Sequence, residues 1–313
     1  GAGADATICV GFGTTLQATG ATSYTWSPTT GLSCTNCPNP TASPVVTTMY
    51  IVTGTDGNGC VNKDTVIVFV NPQPTVSGGG NKTICNNDSV QLQGTGAASY
   101  AWSPSTGLSC TNCANPKAAP STTTVYTVIG TDANGCKDTA TVTVNVNALP
   151  NISAGADQTI CNGSNVQITA TGGVSYIWTP TTGLSCTNCA SPFASPTTTT
   201  VYTVTGTDAN GCKNTDQVTV NVNPLPNVSA GSNQSICLKD SAQLGATGAV
   251  TYTWAPTTGL SCTNCANPKA SPPTTTVYTV TGTDANGCIN MSTITVTIKA
   301  LPPIDAGSDK TIR

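Results

Sequence analysis

Apolar and polar residues alternate along this chain in short runs that end in Gly, Pro, Asn or Asp. In "NVQITAT" (165 to 171) Val166, Ile168 and Ala170 alternate with Gln167, Thr169 and Thr171, which predicts a strand with one buried face. "SYIW" (175 to 178), "TTVYTVTGT" (199 to 207) and "DQVTVNV" (216 to 222, with Val218, Val220 and Val222 inward) predict three more strands. Shorter extended pieces fit at 151 to 153, 158 to 160 and 192 to 195. About seven strands, one Trp and no helical period predict a small antiparallel β-sandwich.

That pattern occurs four times. Cys9, Cys85, Cys161 and Cys237 stand 76 residues apart, as do Trp26, Trp102, Trp178 and Trp254. A fixed period of this kind marks a tandem array of one structural unit. Pro-containing joints at 71 to 74, 147 to 150, 223 to 226 and 299 to 303 divide the chain into repeats at 1–73, 74–149, 150–225 and 226–301, with 302–313 as the opening strand of a further repeat. The expected object is a semi-rigid string of beads.

Composition narrows the chemistry. Among 313 residues 7% are charged, His is absent, the acidic residues are all Asp, and the net charge is −3. This excludes a basic face for nucleic acid. No apolar run reaches the roughly 18 to 20 residues of a membrane-spanning helix. A Ser nucleophile has no His partner, and no Gly-rich loop precedes a helix, so an enzyme is not expected.

The cysteines are the most distinctive chemistry. "GLSCTNC" (31 to 37) recurs at 107, 183 and 259, flanked in each repeat by two single cysteines. Zinc needs converging ligands and redox exchange favours a helix N-terminus, whereas this Cys-x-x-Cys lies in a Pro- and Gly-rich loop between strands. Disulfides are the better account. The simplest pairing joins Cys34 to Cys37 and Cys9 to Cys60. Its counterparts are Cys110 to Cys113 with Cys85 to Cys136, Cys186 to Cys189 with Cys161 to Cys212, and Cys262 to Cys265 with Cys237 to Cys288. Four cysteines allow three pairings, and spacing does not select among them. Sixteen cysteines also place the chain in an oxidising, extracytoplasmic compartment.

Other features have plainer readings. The Asp-x-Asn-Gly segments at 56, 132, 208 and 284 resemble the start of a calcium loop but lack its acidic closing ligand, so hairpin turns are expected and no cofactor is required. Tyr50, Tyr126, Tyr202 and Tyr278 are expected to tie down a corner of the sandwich, and the Trp residues to form its core. Exposed aromatics would instead make a multivalent carbohydrate-binding array. Asn81 and Asn162 begin glycosylation sequons that also suit turns.

The series "TIC" (7 to 9), "YTW" (24 to 26), "SPTTGLSC" (27 to 34), "NPTASP" (39 to 44) and "TTMYIVTGTDGNGC" (47 to 60) resembles the PKD-like and immunoglobulin-like repeats of giant cell-surface proteins of Bacteroidota, across every unit. The resemblance implies four tandem all-β, immunoglobulin-like (PKD-like) sandwiches. It further implies export by type IX secretion and a structural or adhesive fibre at the cell surface, of the gliding-motility or attachment type. Its partners would be copies of itself, neighbouring repeats, surface glycans or the host or substratum. It also implies O-glycosylation at Asp-Ser/Thr-apolar tripeptides, here Thr65, Ser89, Thr139 and Ser241. Self-assembly into a multi-chain filament is an alternative.

The two ends complement each other. "GAGADATIC" lacks the opening strand of later units, whereas "PPIDAGSDKTI" (302 to 312) supplies one. Either a longer array is cut at these points, or chains join head to tail by strand donation.

Overall fold

The computed structural model describes residues 1–304, and all regular structure there is β-strand. The proposed opening strand at 302–313 therefore falls almost wholly outside the described residues. The chain forms two compact units, Gly1–Leu149 and Pro150–Arg313, each holding two repeats.

Repeat 1 shows the plan. Its strands are β1 (Ala6–Cys9), β2 (Thr14–Thr15), β3 (Ser23–Ser27), β4 (Thr41–Ala42), β5 (Thr48–Thr55) and β6 (Val61–Asn71). One sheet has the order β1-β6-β5-β3, and β2 pairs with β4 in a small second sheet. β5 and β6 form an antiparallel hairpin in the register Thr48↔Val68 to Thr55↔Val61, and β3 pairs antiparallel with β5. The same six strands return in each repeat. The expected strand at 165 to 171 is regular only over Val166–Gln167, with Thr171 in an isolated bridge to Ser153.

The sheet is not wholly antiparallel. β1 runs parallel to β6, with Ala6 beside Val68 and Cys9 beside Asn71. Cys9 therefore lies where β6 ends, while Cys60 lies in the turn before β6 begins.

Alternation along the strands builds the core. In β6 Val66 and Val68 turn inward, and in β5 Tyr50 and Val52 do so, enclosing Trp26 together with Leu16, Ala18 and Ala42. Four such clusters exist, one per repeat, and no polar or charged residue among those described is buried. The Trp is about 1% exposed in repeats 1 and 4 and 0% in repeat 3, so its ring is core.

Candidate functional site: cysteine-closed loops and bonds between repeats

The Cys-x-x-Cys loop covers the outer edge of β3. The backbone N–H of Trp26 donates to Thr35 O at 2.7 Å, and its indole N–H donates to Cys37 O at 2.9 Å. Cys34 and Cys37 are bonded to each other, with Cα atoms 6.0 Å apart. The loop starts at Gly31, whose φ of +76° excludes most side chains and whose Cβ would meet the Pro44 backbone at 3.0 Å. The Tyr50 hydroxyl holds the same loop by donating to Thr30 O at 2.7 Å. Cys110–Cys113, Cys186–Cys189 and Cys262–Cys265 close the equivalent loops. These loops occupy a sheet edge that would otherwise expose unpaired backbone groups.

The Trp rings are buried and do not themselves offer a platform for a sugar ring, whereas Tyr24 and its counterparts Tyr100, Tyr176 and Tyr252 are partly exposed. The Asp-x-Asn-Gly segment turns the β5–β6 hairpin, with Asp56 Oδ1 accepting the backbone N–H of Asn58 at 2.8 Å and of Cys60 at 2.9 Å.

The long-range disulfides differ from the expected pairing. Cys9 bonds Cys136, not Cys60, and Cys161 bonds Cys288, not Cys212; both bonds span 127 residues, with Cα atoms 5.6 and 5.5 Å apart. The expected Cys85–Cys136 and Cys237–Cys288 bonds are therefore also not formed. Cys85 and Cys212 are disulfide-bonded, while Cys60 and Cys237 are free and exposed. The cause is the direction of β1. A disulfide needs Cα atoms within about 7 Å. Within one repeat Cys9 and Cys60 are separated by the 11 residues of β6, about 33 Å of strand. Cys9 instead reaches the hairpin turn at the leading end of repeat 2, where Cys136 is buried. No single-repeat argument about the sandwich could show this partner.

Aspartates hold the opening segments of repeats 1 to 3, and in repeat 2 Asp138 Oδ2 accepts the Val76 N–H at 3.1 Å. Asp64 Oδ2 accepts the Ala2 N–H at 2.7 Å, and Asp216 Oδ2 accepts the Ala154 N–H at 2.8 Å. Those bonds, joined by the N–H of Thr65 and of Gln217, hold both carboxyls below the usual aspartate range. In repeat 4 the neutral Ser292 takes this place, its Oγ accepting the Ala230 N–H at 3.1 Å. Among the described residues no group of three or more His, Cys, Asp or Glu side chains could hold a metal ion.

No protein-family model and no curated protein matches the chain. Solved structures of tandem domains do. An eight-Ig-domain N-terminal fragment of Down Syndrome Cell Adhesion Molecule aligns at 11% identity and a TM-score of 0.39, covering 96% of this chain and 49% of that one. This chain thus spans about half the length of that fragment. An I-band fragment of titin aligns at 11% identity and 0.37, over 72% of this chain and 99% of its own. A Ca2+-stabilized adhesin that helps an Antarctic bacterium bind ice aligns at 13% and 0.30, over 94% and 96%. The strand order of the chain itself carries its description as four tandem immunoglobulin-like domains.

Proposed function

We propose that the chain is a non-enzymatic, tension-carrying segment of an extracellular structural or adhesive fibre. The observation that carries this reading is the bond from the trailing end of one repeat to the leading end of the next, Cys9–Cys136 and Cys161–Cys288. Closing a loop this long is worth about 5 kcal/mol by the chain-entropy model. Such a bond does more than stabilise a domain: it carries tension from repeat to repeat without passing through the sandwich interior. Disulfides at this density suit an oxidising, extracytoplasmic setting. A sequence without His or Glu favours a structural role over catalysis.

The finer reading is a cell-surface adhesin stalk of the Bacteroidota type, exported by type IX secretion, with repeats bounded near 73, 149, 225 and 301. Thr65, Ser89, Thr139 and Ser241 are all exposed, as O-glycan acceptors would need to be.

Pulling single chains by their ends tests the fibre reading. An oxidised chain should hide the 127 residues inside each bond even when its domains unfold. Adding a phosphine reductant should release about 440 Å more contour per bond, at roughly 3.5 Å per residue. Equal extensions with and without reductant would show that the bonds do not carry load.

A further inference from the structure

Asn-Gly occurs five times in the chain, with Asn at 58, 134, 162, 210 and 286. The pair carries a chemistry of its own. Glycine has no side chain to shield its backbone nitrogen, and that nitrogen can close a five-membered ring on the side chain of the preceding asparagine. Ring closure needs the peptide between the two residues to be free to turn. Four of the five pairs lie in the β5–β6 hairpin turn and its counterparts, where the N–H of Gly59, Gly135, Gly211 and Gly287 donates to the carbonyl of the turn's Asp at 3.1 to 3.2 Å. The Asp carboxylate takes the N–H on either side as well, for Asp132 those of Asn134 at 2.9 Å and Cys136 at 2.8 Å. A nitrogen whose proton is held by an acceptor, beside a carboxylate, gives that proton up reluctantly.

Asn162 is placed differently. It follows the Gln158–Cys161 strand, in a turn closed by the Ser164 N–H donating to Cys161 O at 2.9 Å. Gly163 has a φ of +87°, both residues are exposed, and nothing lies within 4 Å of where a Gly163 Cβ would point. Among the described residues neither the Gly163 N–H nor the Asn162 carbonyl makes a hydrogen bond, so the peptide between them is held by neither of its polar groups. The same turn in repeat 2 shows the reach that is required, for there Asn86 Oδ1 stands 3.1 Å from the nitrogen of Asn87. In that repeat the second residue carries a side chain, and in repeats 1 and 4 Val10 and Leu238 take the place of Asn162. Repeat 3 alone puts Asn before Gly in this turn.

We propose that Asn162 is a self-modifying site, which converts through a succinimide to isoaspartate and aspartate, while the hairpin asparagines are protected by the Asp of their own turns. Hydroxide removes the Gly163 N–H proton and the nitrogen bonds to Asn162 Cγ. The Cγ–Nδ2 bond then breaks, and the amide nitrogen takes a proton from water and leaves as ammonia, which regenerates the hydroxide. Water next adds to one of the two ring carbonyls and breaks that carbon's bond to the ring nitrogen. Attack at the main-chain carbonyl leaves isoaspartate, and attack at the former side-chain carbon leaves aspartate. No oxidant or reductant takes part. Either product puts a new carboxylate beside Cys161, whose disulfide to Cys288 joins repeats 3 and 4, and isoaspartate also lengthens the backbone of the turn by one carbon. Conversion ends the glycosylation sequon that begins at Asn162.

The test is to incubate the oxidised full chain at mildly alkaline pH and follow each Asn-Gly peptide by chromatography and mass spectrometry, which register the change from amide to acid and separate the two products. Asn162 should convert about five times faster than Asn134, Asn210 or Asn286, or more, five being the factor that one backbone hydrogen bond represents. Isoaspartate should appear beside aspartate, as opening of a ring requires. Asp132→Ala should raise the rate at Asn134 towards that at Asn162 and leave Asn210 as it was. In the reduced chain unfolded in guanidinium, all five sites should convert at similar rates. The proposal is overturned by equal rates at the five sites of the folded chain, by an Asn162 that stays intact, by a preference for Asn162 that survives unfolding, or by aspartate without isoaspartate.

Discussion

The indole N–H of Trp178 donates to the carbonyl oxygen of Cys189 at 3.0 Å, so a fully buried side chain of repeat 3 is tied to the disulfide-closed loop on its surface. The same bond occurs in every repeat, from Trp102 to Cys113 and from Trp254 to Cys265, each at 3.0 Å. Core and loop therefore stand or fall together.

Trp178→Phe keeps a ring in the core but strands the Cys189 carbonyl, at a cost of about 2 kcal/mol. Hydrogen exchange should quicken roughly 30-fold in the segment from 175 to 190, and repeat 1 should exchange as before. Uniform change along the chain would mean that the repeats do not open independently.

Replacing Cys186 and Cys189 together by Ser removes a small closed loop worth about 2 kcal/mol. The larger effect is expected in solution behaviour, because the Ser175–Thr179 strand then has a loosely covered edge. Light scattering of the warmed double variant should rise well before that of the parent. Identical scattering curves would show that the backbone bond from Trp178 N to Thr187 O covers the edge unaided.

Burial raises the phenols of Tyr50, Tyr126, Tyr202 and Tyr278 above their ordinary value near 10. A raised folded-state value means that their stabilising effect is complete below about pH 10 and is lost as pH climbs through the higher value. Unfolding monitored by Trp fluorescence should therefore set in above pH 10. Tyr202→Phe should cost about 1 kcal/mol at neutral pH, through the lost bond to Thr182 O, and should remove the share of alkaline loss that belongs to repeat 3.

Asp64 and Asp216 behave in the opposite sense. Their depressed folded-state values mean that their contribution is present above the usual aspartate range and is lost as pH falls through the lowered value. Acid should thus free the opening segments of repeats 1 and 3 before that of repeat 4, which uses Ser292. Amide exchange at Ala154 and Ala230 between pH 5 and pH 2 checks this. Asp216→Ser should make repeat 3 follow repeat 4.

Much of the architecture is legible in the chain. The 76-residue period, the inward Val218 and Val220, the Trp core, the hairpin at Asp208 and the corner bond of Tyr202 all depend on local alternation and turn chemistry, which single-sequence patterns encode. The partner of Cys9 is not encoded in that way. Cys60 and Cys136 differ by one period and have the same local surroundings, so nothing near either cysteine tells them apart. What separates them is the direction of a four-residue strand, Ala6–Cys9, and parallel pairing leaves no mark on such a short sequence.

The 127-residue reach of these bonds also sets an order in time. A domain closed by its own cysteines can be finished as soon as it leaves the ribosome or the export channel. Cys9 has to wait until Cys136 emerges with the next repeat, and Cys161 until Cys288 does. Folding can run ahead, but covalent locking trails it by one repeat, so a chain still being made carries a reactive thiol behind its growing end.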